Sequence, residues 1–131
     1  MKHEKDLLEK TKIGEEFGVM LADGINSKFG DILKSAAEVK SDGLLLQFKD
    51  GSRLELHYPN KKEYSFNFLK GGKTFIIDTA PIHNELETFP NHIHNFDGKL
   101  TKDEITGINN EPVKNVETFL RFFGYLQEEN S

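Results

Sequence analysis

The stretch LLLQFKDGSRLELHY, Leu44–Tyr58, decides the fold class. Two runs of strand-forming residues flank Asp50-Gly51, a dipeptide suited to a turn with positive φ, and this predicts a β-hairpin. Within the second run, Arg53, Glu55 and His57 alternate with Leu54, Leu56 and Tyr58. Alternation of this kind belongs to a sheet with one buried face and one wet face. Pro59 and the charged segment NKKE follow. Tyr64, Phe66 and Phe68 then alternate with Ser65 and Asn67, and Gly71-Gly72 turns the chain into KTFIID. Consecutive hairpins usually pack side by side, so both are placed in one antiparallel sheet.

Upstream, Glu4 to Ile25 carries Ile13, Phe17, Met20 and Leu21 at helical spacing, with Gly24 as a natural stop. Asp31 to Lys40 fits a helical face through Ile32, Leu33, Ala36 and Ala37, and fits a strand by its length. Downstream, Pro112 suits the first turn of a helix capped by Asn110. Val116, Phe119, Leu120, Phe123 and Leu126 make its apolar stripe, ending near Gln127. From Pro81 to Pro112 regular periodicity fails. Ile82, Leu86, Phe89, Ile93, Phe96 and Leu100 lie in that segment and would pin so long a loop to the core. The expected architecture is α+β in a single domain over residues 1–131. It has an antiparallel sheet of four to five strands, an N-terminal and a C-terminal α-helix, and a long His-rich loop.

Composition narrows the function classes. Seventeen Lys and Arg against 22 Asp and Glu give a net charge of −5, which rules out a broadly basic nucleic-acid coat. The absence of Cys excludes a disulfide framework, a thiolate nucleophile and a zinc–thiolate site. No apolar run approaches the ~20 residues of a membrane span. The opening MKHEKDLLEK lacks the apolar region of a secretory signal, so a cytoplasmic protein without a membrane partner is expected.

Three of the five histidines, His83, His92 and His94, fall in the irregular segment just after Asp78. Imidazole titrates near neutrality and can both give and take a proton. Residues 92 and 94 share one side of any extended backbone. Pro81 and Pro90 stiffen the approaches to the cluster, and Asp78 offers a carboxylate that could orient a ring by accepting its second N–H. The bland alternative is a polar loop whose histidines are satisfied structurally. Two decoys are set aside. Asn95, Asp97, Gly98 and Glu104 follow a calcium-loop spacing, but Ile93 stands where that loop needs a carboxylate. Gly71-Gly72, although Lys73-Thr74 follows it, lacks the glycine-bounded loop that a phosphate-binding motif needs before it.

The run DTAPIHNELETFPNHIH (residues 78–94), followed by NNEPVKNVETFLRF (residues 109–122), resembles the TumE-like toxin family. That family's pattern has an Asp-Asn-Ala-Pro-His-His segment at a strand end, a Thr-Phe-Pro-His-His-Lys-His segment, and a Glu-Pro entry into a C-terminal helix. FKDGSRLEL, residues 48–56, is similar to its hairpin, so the likeness spans roughly residues 44 to 123. Ile82, Asn91 and Ile93 depart from the pattern, standing where two histidines and a lysine are usual. His83, His92, His94 and Asp78 are retained.

The resemblance implies a small toxin encoded beside a helix-turn-helix antitoxin and acting on RNA. Strand cleavage needs a base for the 2′-OH, an acid for the departing 5′ oxygen and a cation for the phosphorane charge. His83 with His92 or His94 would supply the first two. Arg53, Lys70, Lys73 and Lys99 are the candidate substrate-binding cations, although each also reads as a solvated charge. No cofactor is expected. Three imidazoles and a carboxylate do form the donor set for a divalent ion and hence a metal-dependent hydrolase, but the lack of a helical His-x-x-x-His pair ranks this below acid–base chemistry. A non-catalytic binding module, or an inactive family member, is the competing class.

Overall fold

The computed structural model describes residues 2–41, 43–82 and 84–127, with side chains from residue 16 onward. His83 therefore lies outside the described residues. In chain order the elements are α1 (Lys2–Phe29), β1 (Glu38–Val39), β2 (Gly43–Gln47), β3 (Arg53–Asn60), β4 (Glu63–Lys70), β5 (Lys73–Asp78), β6 (His92–His94), β7 (Leu100–Lys102) and α2 (Pro112–Phe122). The strands form one antiparallel meander in the order β1 to β7. The α+β class holds, but the sheet has seven strands among the described residues rather than four or five. The extra ones are the two-residue β1 and the three-residue β6 and β7, all too short to show a period in sequence. Two of them subdivide the expected His-rich loop.

Alternation along the strands sends Leu44, Leu46, Leu54, Leu56, Phe66, Phe68, Phe75, Ile77 and Ile93 to one face, where all are buried. Both helices belong to the same core, through Leu21, Ala22, Ile25 and Phe29 of α1 and Val116, Phe119 and Leu120 of α2. Phe17 joins the edge of this core, but Met20 is 73% exposed. The buried stripe of α1 thus runs at four-residue steps through 17, 21, 25 and 29. Gly24 does not end the helix: a Cβ there would sit 3.0 Å from Val113 Cγ2, so this glycine admits α2. The segment left open between helix and strand is a 3₁₀ turn at Gly30–Ile32, a bridge from Leu33 to Phe48, and β1. No helix among the described residues is long and apolar enough to cross a membrane.

The helix α2 ends earlier than its apolar stripe suggests. Gly124 takes φ +79°, and the Tyr125 N–H reaches Leu120 O at 2.8 Å while the Gly124 N–H reaches Arg121 O at 3.1 Å. That is a Schellman stop, which only a residue tolerant of positive φ completes. At the other end Glu111, not Asn110, occupies the cap position, without a side-chain cap bond.

The Asp50-Gly51 turn forms as expected and is tied to the C-terminal segment. Asp50 Oδ1 accepts the Ser52 N–H at 2.9 Å and the Ser52 hydroxyl at 2.5 Å, and Asp50 Oδ2 accepts the Tyr125 hydroxyl at 2.7 Å. The Tyr125 ring stacks on Phe48 at 4.3 Å. Partial burial alone raises the Asp50 pKa. The hydrogen bonds from Ser52 and Tyr125 and the nearby Lys70 ammonium outweigh it and hold the carboxyl at about 2. A depressed carboxylate stabilises the fold above its unfolded pKa of about 3.8 and loses that contribution as pH falls toward 2. Because its side chain is 39% exposed, solvent screening leaves about 1 kcal/mol. Asp50→Asn is expected to flatten the stability profile between about pH 4 and pH 2. Urea titrations across that window check this; an unchanged slope contradicts it.

Candidate functional site

Opposite the helices, the sheet presents a second face built from cross-strand rows. Partners in register share a face, and one row runs His57, Ser65, Asp78, His92, Lys102 across β3 to β7. The next row is Glu55, Asn67, Ile76, His94, Leu100. This polar face gathers Asp78, His92 and His94, of which the spacing placed His92 and His94 on one side. Sequence reasoning missed His57 and Lys102 on the same face. His57 was legible as a wet-face residue, but its row depends on pairing between strands far apart in the chain. Lys102 could be placed only by recognising β6 and β7.

The two imidazoles meet. The rings of His92 and His94 lie edge to face with centroids 5.0 Å apart. Their environments differ: His92 is 0% exposed, whereas His94 is half-buried. His92 Nδ1 lies 3.2 Å from the Pro90 carbonyl, which can only accept, so this contact places the ring proton on Nδ1. The Pro90 carbonyl thus supplies an orienting acceptor for the His92 ring. The Asp78 carboxylate accepts the Ala80 N–H at 2.9 Å and faces a cleft of about 450 Å³. His57, Ser65, Glu63, Lys62, Pro59, Pro81 and Pro90 are among its other lining residues. The two ends of the β5–β6 connection therefore flank the polar face beside the histidine pair.

The candidate cations are not gathered there. Arg53 is on the polar face but on β3, three strands from His94, or about 14 Å at the usual spacing. It lies 3.8 Å from Glu55. Lys70 and Lys73 pair across the β4–β5 turn, five residues from Asp78 along β5, or about 17 Å, and on the opposite parity. Lys70 sits 3.6 Å from Asp50 and 5.7 Å from the Tyr125 ring centroid, a contact with the structural turn. Lys99 is at the exposed tip of the β6–β7 turn, its N–H bonded to Asp97 at 2.9 Å. Lys102 is the cation opposite His92, and it contacts Glu104 at 3.1 Å and Glu87 at 3.5 Å. Among the described residues no three His, Asp or Glu side chains are disposed to hold a metal ion.

The departures from the family pattern at Asn91 and Ile93 are both buried and have the opposite parity to the histidine pair. Asn91 has the opposite parity to His92 and is buried on the helix side. Its amide donates to Tyr64 Oη at 2.8 Å and to Asp103 Oδ2 at 2.9 Å. The Tyr64 hydroxyl donates in turn to Thr106 Oγ1 at 2.8 Å, and Thr106 donates to Asp103 at 2.5 Å. Burial pushes the Tyr64 phenol up to about 12, so it remains a donor at neutral pH. Asn91 thus anchors the start of β6 and leaves the polar face unaltered. Ile82 is 67% exposed.

A family model described as Toxin TumE matches residues 25–129. Comparison with curated proteins and with solved structures gave no match.

Proposed function

The chain belongs to the TumE toxin family, and from that premise we propose that it is the toxin of a two-gene toxin–antitoxin pair, acting on RNA through the histidines of the polar sheet face. Its partner in this reading is a helix-turn-helix antitoxin. The observation that carries the chemistry is the His92–His94 ring pair at 5.0 Å beside the cleft that Asp78 lines. His94, the accessible ring, takes the 2′-OH proton. The 2′ oxygen then bonds to phosphorus, the bond from phosphorus to the 5′ oxygen breaks, and an acid protonates that leaving oxygen. His83, retained from the family motif, is the proposed acid. His92 is a positioning residue, since complete burial keeps it from substrate while its ring abuts His94. Lys102 and Arg53 are the cations on the correct face. The net charge of −5 means that binding cannot rest on phosphate contacts alone.

Expression without the antitoxin should arrest growth. His94→Ala should relieve the arrest and lower RNA cleavage by about 10²-fold or more, with the melting temperature unchanged. Cleavage should persist in chelator. A soluble, folded His94→Ala protein that stays fully toxic ends the catalytic reading. The complete burial of His92 favours a second reading, in which this face binds a partner without chemistry; intact RNA after incubation with a toxic, purified protein selects it.

A further inference from the structure

Resting on the RNA reading above, we infer that the cleft beside Asp78 seats one unstacked nucleobase and selects guanine. Its volume of about 450 Å³ lies within the usual range for small-molecule pockets. Pro59, Ala80, Pro81 and Pro90 give it apolar walls, and His57, Ser65 and Asp78 give it a polar floor. Flat apolar walls with a few polar groups suit a base taken out of a single strand, which is read along its hydrogen-bonding edge. Two carboxylates, Asp78 and Glu63, line the same space, and ionised carboxylates only accept. They outnumber the one ammonium in the lining, that of Lys62, and favour a donor edge. Guanine alone among the four bases offers two adjacent donors there, N1–H and the 2-amino group, which one carboxylate can accept together. The Ala80 N–H already holds Asp78 Oδ1, fixing the carboxylate with Oδ2 as its second acceptor. The cleft shares Asp78 and Pro90 with the surroundings of His92, so a base held there brings its own phosphodiester toward the imidazole pair.

Titrating the full chain with the four nucleoside 3′-monophosphates and with inorganic phosphate, read by amide chemical shifts, tests this. Guanosine 3′-monophosphate should bind at least tenfold tighter than the other three, with shifts at Ser65, Asp78, Thr79 and Ala80. Asp78→Asn, which keeps an acceptor for Ala80, should remove that preference while the protein melts as before. Equal binding of all four, no binding, or the same shifts from inorganic phosphate overturns the inference. The titration reads binding alone. A protein that holds guanosine but cleaves no RNA retires the catalytic reading and leaves this one standing; cleavage without any guanine binding does the reverse.

Discussion

Gly43→Ala is expected to destabilise the fold by about 3 kcal/mol or more, near the upper end for a single added methyl group. Gly43 opens β2 and pairs with His57 of β3. A Cβ at this position would lie 1.7 Å from Leu56 O, 2.8 Å from Leu56 C and 3.0 Å from His57 Cα. All three are backbone atoms of an inner strand held on its far side by β4, so no side chain can swing aside. The methyl group must instead part β2 from β3, breaking ladder bonds and disturbing the buried Leu44–Leu56 pair. For a chain of this size the drop in melting temperature should be about 10 °C. Gly30→Ala is the control, because a Cβ there meets nothing within 4 Å, and it should be neutral or slightly stabilising. Urea unfolding of both variants decides the point. Equal midpoints for Gly43→Ala and the parent mean that the strands do not approach this closely.

The same pair of strands shows what the sequence made legible. Between Leu44 and Asp78 the alternation is long, the β2–β3 and β4–β5 turns carry glycine, and both hairpins form where expected. Legibility fails where an element is too short for its period to repeat. HIH and LTK are three-residue strands whose existence depends on β5 as a template, so the site could be read only as a loop with histidines in it. The spacing of His92 and His94 did place them on one side, and the structure brings their rings together. Cations are a different matter. Charge alone marks Arg53, Lys70, Lys73 and Lys99 in the sequence, and charge does not say which face a side chain occupies; parity sends Lys70 and Lys73 away from the polar face. The family departure at Asn91 looked costly as a missing imidazole. Parity again shows that residue 91 serves the buried network rather than the face where the histidines meet.

Asn115→Ala should cost about 3 kcal/mol, since removing one partner of a buried hydrogen bond leaves the other unsatisfied. Asn115 is 0% exposed and its amide is used on both ends. Oδ1 accepts the Gly107 N–H at 3.0 Å and the Asn110 side chain at 3.2 Å, while Nδ2 donates to Gly107 O at 2.9 Å and to Tyr58 Oη at 3.1 Å. Gly107 is half-buried, so water can replace part of what its backbone loses. Tyr58 is 1% exposed, so its oxygen cannot be rehydrated without opening the core. This predicts a specific non-additivity. Tyr58→Phe in the parent discards a satisfied hydroxyl and should destabilise. In the Asn115→Ala background it discards a stranded one, and should be neutral or stabilising. A double-mutant cycle by urea unfolding measures the difference, expected at about 1 kcal/mol or more. Strict additivity would show that the Tyr58–Asn115 bond contributes nothing. The consequence reaches the site by contact. Gly107 follows Thr106, whose hydroxyl donates to Asp103 and accepts a hydrogen bond from the Tyr64 hydroxyl, and both Asp103 and Tyr64 accept from the Asn91 amide. The chain of bonds that begins at residue 115 therefore ends at the residue immediately before His92.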